Sequence, residues 1–140
     1  MLVLREKCTP CDVLRFYHIF MHVRPYEKLI AWREAHQLTL RVYRFARDFP
    51  DEERFGLTSQ MRRSSSSVPM NIVEGIAKRS YREKACYLER ALASLEELHY
   101  QCVLSRDLSY LSIHNFDLCI DHIRRTSYLI MKLRASFEKK

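Results

Sequence analysis

Glycine is nearly missing from this chain, with 2 in 140 residues, and proline is sparse at 4. Sandwiches and barrels turn every few residues and rely on those two types to do it, so an all-β fold is excluded and long helices are the economical alternative. Apolar runs long enough to cross a bilayer are lacking too. The best candidate, residues 13–23, is interrupted by Arg15, His18 and His22 and is followed by no small-residue cleavage site. Neither a membrane span nor a leader is expected. No Ser/His/Asp arrangement or Walker loop occurs, and two glycines could hardly build a phosphate cradle, so the chain is expected not to be an enzyme and to need no small-molecule substrate or cofactor.

The 5 cysteines are an odd number. Cys8, Cys11, Cys86, Cys102 and Cys119 are scattered, the last three within helical patterns, which is how reduced thiols of a cytoplasmic protein are distributed rather than a disulfide framework. Cys8-x-x-Cys11 followed by His18-x-x-x-His22 has the ligand types of a zinc site, but the two pairs are too close together for the hairpin and helix of a zinc finger. Glu96-x-x-His99 supplies half of a ferritin-like carboxylate centre and finds no second such pair. No metal is expected.

What is present in quantity is charge and helical periodicity. A 47% apolar, 29% charged composition is that of an ordinary globular domain, and the length suits one. The net charge of +7 favours polyanions or acidic proteins as partners. Residues 1–25 read apart from the rest, with Pro10 and Pro25 framing an aromatic-rich piece. This is either an extension packing on the remainder or a stretch translated from an earlier start codon. Residues 26–140 read as one helical domain.

A first helix is expected over residues 27–49, where Leu29, Trp32, Ala35, Thr39, Val42, Ala46 and Phe49 recur every three or four positions. Pro50 ends it. The acidic turn Asp51-Glu52-Glu53 opens a second through Leu57, Met61, Val68, Ile72 and Ile76. Pro69 falls inside it, removing one amide and opposing the carbonyl of Ser65, so a kink or break is expected there. Ser64 to Ser67 just before it offer hydroxyls for freed carbonyls and are small enough for close helix approach. Ser80-x-x-Glu83 is a capping box for a third helix to about Asp107, and Ser112 an N-cap for a fourth. Four long helices on short turns give an all-α, up-down-up-down antiparallel four-helix bundle, its second helix kinked at Pro69.

Two polar features stand out. Pro69, Asn71, Glu74 and Gly75 form a cluster that reads either as a recognition pocket or as a device pinning a broken helix against its neighbour. The second reading carries more weight, because a proline in a helix leaves backbone groups needing partners. Arg62, Arg63, Arg124, Arg125, Lys132 and Arg134, with Lys139 and Lys140 beyond them, are the candidates for contact with RNA or DNA. Trp32, Tyr43, Phe45, Phe55 and Tyr87 are apolar positions that could pack between copies of the chain.

Several of these pieces together resemble one family. Phe49-Pro50 with Glu53-Arg54-Phe55-Gly56-Leu57, Val68-Pro69 with Asn71-Ile72 and Glu74-Gly75, and Ser94-Leu95 with Glu97-Leu98 are similar to four-helix bundle proteins encoded in intervening sequences of bacterial large-subunit ribosomal RNA genes. The resemblance runs from about residue 26 to residue 136. The serine run, Ala93 and the first 25 residues depart from the family's pattern. The resemblance implies a homopentameric ring without established enzymatic activity. A distant kinship to accessory proteins of diversity-generating retroelements implies contact of a basic surface with nucleic acid. The combined expectation is a non-enzymatic, homo-oligomeric interaction module that binds nucleic acid; the alternative is a structural or protein-binding scaffold that does not.

Overall fold

The computed structural model describes residues 23–138. The four helices are α1 (Ile30–Phe45), α2 (Leu57–Ala77), α3 (Tyr81–Asp107) and α4 (Ile113–Glu138), with 3-10 turns at Pro25–Lys28, Ala46–Asp48 and Asp51–Glu53. The backbones of α1 and α2, α2 and α3, α3 and α4, and α4 and α1 lie side by side, while the diagonal pairs do not approach. This is a closed four-helix bundle.

Its centre follows most of the predicted stripes and adds Leu38 and Leu88, which they did not include. Leu38 and Val42 of α1, Met61, Val68 and Ile72 of α2, Leu88, Leu95 and Leu98 of α3, and Ile123 and Ile130 of α4 are buried together. Each such side chain contributes roughly 1.5–3 kcal/mol by leaving water, and this burial, more than helix propensity, holds the elements in place. No helix of the described residues is long and apolar enough to cross a membrane.

The ends differ from the sequence expectation in instructive ways. The first helix is shorter than residues 27–49: a 3-10 turn precedes it, and beyond Phe45 the chain tightens into another before Phe49-Pro50. The acidic turn Asp51–Glu53 is not the start of α2 but a separate 3-10 turn. It still serves that start, because a Glu53 Oε2 atom accepts the Leu57 amide at 2.8 Å, satisfying one of the free donors of the first turn. A Cβ at Gly56 would meet that same oxygen at 2.6 Å, so a larger residue there would have to displace the Glu53 carboxylate from its cap. Ser80 Oγ accepts from the Glu83 amide at 3.5 Å and Ser112 Oγ from the Asn115 amide at 3.2 Å, so both expected N-caps form.

α2 passes through Pro69 without a break. The serine run before it does two jobs. Ser65 and Ser66 donate back to the carbonyls of Arg62 and Arg63, at 3.1 and 3.2 Å. Ser64 donates across to the buried Gln101 Oε1 at 2.6 Å, and Ser67 meets Ser94 hydroxyl to hydroxyl at 2.6 Å. Small side chains with hydroxyls thus let α2 approach α3 closely while leaving few polar atoms unmatched.

Candidate nucleic-acid interface

The corner between α1 and α2 is anchored from below. Phe49 is buried and packs on the Tyr110 ring at 5.6 Å, and the Tyr110 hydroxyl reaches Glu53 Oε1 at 3.4 Å. Glu53 therefore ties the α3–α4 turn to the start of α2. With the corner fixed, Arg47, Arg54 and Arg62 line an open recess of about 260 Å³ together with Ala46, Phe49, Pro50, Asp51 and Thr58. Arg62 extends over the Tyr43 ring at 5.4 Å and Arg54 over the Phe55 ring at 5.5 Å. Among the described residues none of the three arginines has a carboxylate within ion-pair distance. The Thr58 hydroxyl and Arg62 Nε are shielded from solvent and lack a hydrogen-bond partner.

Of the basic residues expected to contact nucleic acid, the structure brings Arg62 to this recess and leaves Arg63 exposed nearby on α2. Those of α4 are elsewhere and largely engaged. Arg124 lies 3.5 Å from Asp121, Arg125 lies 3.1 Å from Glu34 of α1, and Arg134 lies 2.8 Å from Glu89 and 3.3 Å from Glu138. Lys132 sits over the Tyr128 ring at 5.5 Å. Arg47 and Arg54 were missed by sequence reading, because the acidic residues between them marked the segment as a helix start. The usable signal was the alternation of arginine with Phe49 and Phe55. Lys139, Lys140 and the Cys8, Cys11, His18 and His22 set lie outside the described residues.

The polar cluster of α2 divides between its two neighbours. Pro69 and Glu74 border an apolar recess of about 380 Å³ with Tyr26, Trp32, His36, Met70 and Val73, against α1. Trp32 stacks on His36 at 5.2 Å and tilts against Tyr26 at 5.0 Å. Asn71 turns instead along its own helix, its Nδ2 donating to the Ser67 carbonyl at 2.8 Å and hydroxyl at 3.2 Å. Gly75 faces α3, where an added Cβ would stand 3.0 Å from Tyr87 Cβ.

A second charged group joins α1 and α4. His122 Nε2 lies 3.2 Å from a Glu34 carboxylate oxygen, and Arg41 donates to the Leu118 carbonyl at 3.3 Å. Burial and the nearby Arg41 push His122 below its usual pKa, against the opposing pull of Glu34. Between α3 and α4 the buried Cys102 and Cys119 are free thiols with sulfurs 3.4 Å apart, and their contact and burial push Cys102 upward. No group of three or more His, Cys, Asp or Glu side chains among the described residues could hold a metal ion. Glu96 is exposed and His99 half-buried on α3.

A model of the 23S rRNA-intervening sequence protein family matches residues 27–132. The fold is similar to a crystal structure, at 1.70 Å resolution, of a protein of unknown function from the S23 ribosomal protein family of Bacteroides thetaiotaomicron VPI-5482. The TM-score is 0.70 at 18% identity, covering 76% of this chain and 96% of that one. No curated protein sequence matches the chain.

Proposed function

The chain belongs to the 23S rRNA-intervening sequence protein family, and from that premise we propose that it is a non-enzymatic, self-associating bundle that binds RNA or DNA. The assembly is a closed ring of five copies, so that one basic surface per bundle is repeated around the ring and a modest local affinity is multiplied. The observation that carries the nucleic-acid reading is the arginine recess at the α1–α2 corner, where Arg47, Arg54 and Arg62 line one recess with Asp51 and, among the described residues, none is ion-paired. Phosphate contact is the chemistry that guanidinium groups without an ion-pair partner serve.

Self-association is supported by apolar side chains left outside the core. Ile113 is 72% exposed and Ile30 59%, and the recess beside Trp32 and Met70 is apolar. The free thiols Cys86, Cys102 and Cys119 suit a reducing compartment, and we place the protein in the cytoplasm. The pairing of Arg124, Arg125 and Arg134 with carboxylates of the same chain favours the second reading, a scaffold whose charge serves solubility.

One experiment decides between them. Sedimentation of the purified protein with and without RNA reports mass and binding together. A pentamer that takes up RNA at low salt and releases it steeply as salt rises is expected. A monomer removes the ring, and a ring that ignores nucleic acid at low salt leaves the scaffold.

A further inference from the structure

The arginine recess combines features that phosphate charge alone does not require. Thr58 is 4% exposed, and its hydroxyl, like Arg62 Nε, has no hydrogen-bond partner although both are shielded from water. Neither atom is open to a ligand in this arrangement, and what the recess presents is the charge of Arg47, Arg54 and Arg62, none of them ion-paired among the described residues. An oxyanion in the recess is met by the guanidinium charge of Arg47, Arg54 and Arg62. The two non-bridging oxygens of a phosphodiester can each accept from more than one guanidinium N–H.

The second feature is Phe55. It stands 89% exposed, next in sequence to Arg54, whose guanidinium lies over its ring. An uncovered aromatic face beside a phosphate-sized basic recess is the arrangement that holds a single strand, backbone in the groove and base on the ring. Duplex offers the phosphate but keeps its bases stacked inside, out of reach of Phe55.

We propose that the recess lined by Arg47, Arg54, Thr58 and Arg62 holds a backbone phosphate of single-stranded nucleic acid, with an unpaired neighbouring base stacked on Phe55. This rests on the nucleic-acid reading above and narrows it to one corner of the bundle and one strandedness.

The test compares a labelled single-stranded oligonucleotide with the duplex of the same sequence by fluorescence anisotropy at low salt, and inorganic phosphate by thermal shift. Arg47 and Arg54 are exposed, so R47Q with R54Q keeps the fold. The double variant is expected to weaken single-strand binding at least about ten-fold and to abolish stabilisation by inorganic phosphate. Phe55→Ser is expected to weaken single-strand binding about ten-fold while leaving the phosphate response and the weaker duplex binding unchanged. Arg82→Gln, exposed on α3, is the control that leaves binding close to wild type.

Wild-type binding that survives R47Q with R54Q overturns this site and leaves the broader nucleic-acid reading standing. Duplex bound as tightly as single strand, or Phe55→Ser without effect, overturns the base platform. A protein that responds to inorganic phosphate through Arg47 and Arg54 but takes up no oligonucleotide overturns the single-strand proposal and the nucleic-acid reading together.

Discussion

The Thr39 hydroxyl of α1 lies 2.8 Å from the carbonyl oxygen of Ser65 in α2, the carbonyl left without its helical partner by the missing amide of Pro69. The same hydroxyl is 3.0 Å from the Ala35 carbonyl of its own helix, so its one proton is shared between the two oxygens. The deficit in α2 is thus met from the neighbouring helix, and neither Asn71 nor the serine hydroxyls meet it. Thr39→Val keeps shape and removes the donor, which should cost about 1–3 kcal/mol because the carbonyl is then buried unpaired. In a Pro69→Ala background Ser65 regains an amide partner, and the same change should cost less. A double-mutant cycle in urea showing no coupling between positions 39 and 69 would sink this account.

Gly75 sets how closely α2 approaches α3. A methyl there must push Tyr87 Cβ, at 3.0 Å, by a few tenths of an ångström, and the Tyr87 ring is itself held between Lys78 and Arg90. Gly75→Ala gains helix propensity and loses packing, so its net effect should be small. Gly75→Val adds bulk with no room and should cost about 1–3 kcal/mol by overpacking. Urea midpoints of the two variants measure the difference, and equal midpoints would show that the helices can move apart freely.

Much of this fold is readable from spacing alone. The stripe Val42, Met61, Val68, Ile72, Leu95 and Ile123 is buried as its period required, and Ser80 and Ser112 cap the helices they precede. The ends were less legible, since Glu53 caps α2 from outside it, in a turn that looked like the helix itself. Pro69 was recognisable as a missing donor, but its remedy, Thr39, is 30 positions away and only packing brings it near. The candidate interface was legible in part. Arg62 carried a charge signal, whereas Arg47 and Arg54 join it through a corner fixed by Phe49, Glu53 and Tyr110, a long-range relationship no local pattern records. The bend expected at Pro69 stays an expectation resting on the lost amide.

Ser109 has φ of 62°, the left-handed region, in the turn that ends α3. That conformation lets the Tyr110 amide return to the Ser105 carbonyl at 2.8 Å, closing the helix as a C-terminal cap. A residue with a Cβ is strained there, by roughly 1–2 kcal/mol. Ser109→Gly should therefore stabilise the protein by up to about 1 kcal/mol, part of the relief being offset by the greater freedom of glycine in the unfolded chain. Thermal unfolding checks it, and a lower melting temperature for the variant would show that the side chain, not the backbone, governs the turn.

His122 makes the α1–α4 contact sensitive to pH. It faces Glu34 and Arg41 of α1, with Asp121 and Arg125 beside it on α4. Because burial and Arg41 lower its folded pKa, the unfolded chain binds more protons in the window just below the ordinary histidine value of about 6.5. Stability from this residue is therefore full above that value and declines as pH falls through the window toward the folded pKa. His122→Gln keeps an amide that can donate to Glu34 and removes the titration. Urea midpoints from pH 7.5 down to 5.5 should fall less steeply for the variant than for the wild type. Parallel slopes would assign the acid sensitivity to other groups, whereas convergence of the two proteins at low pH would place it at the Glu34–His122 contact.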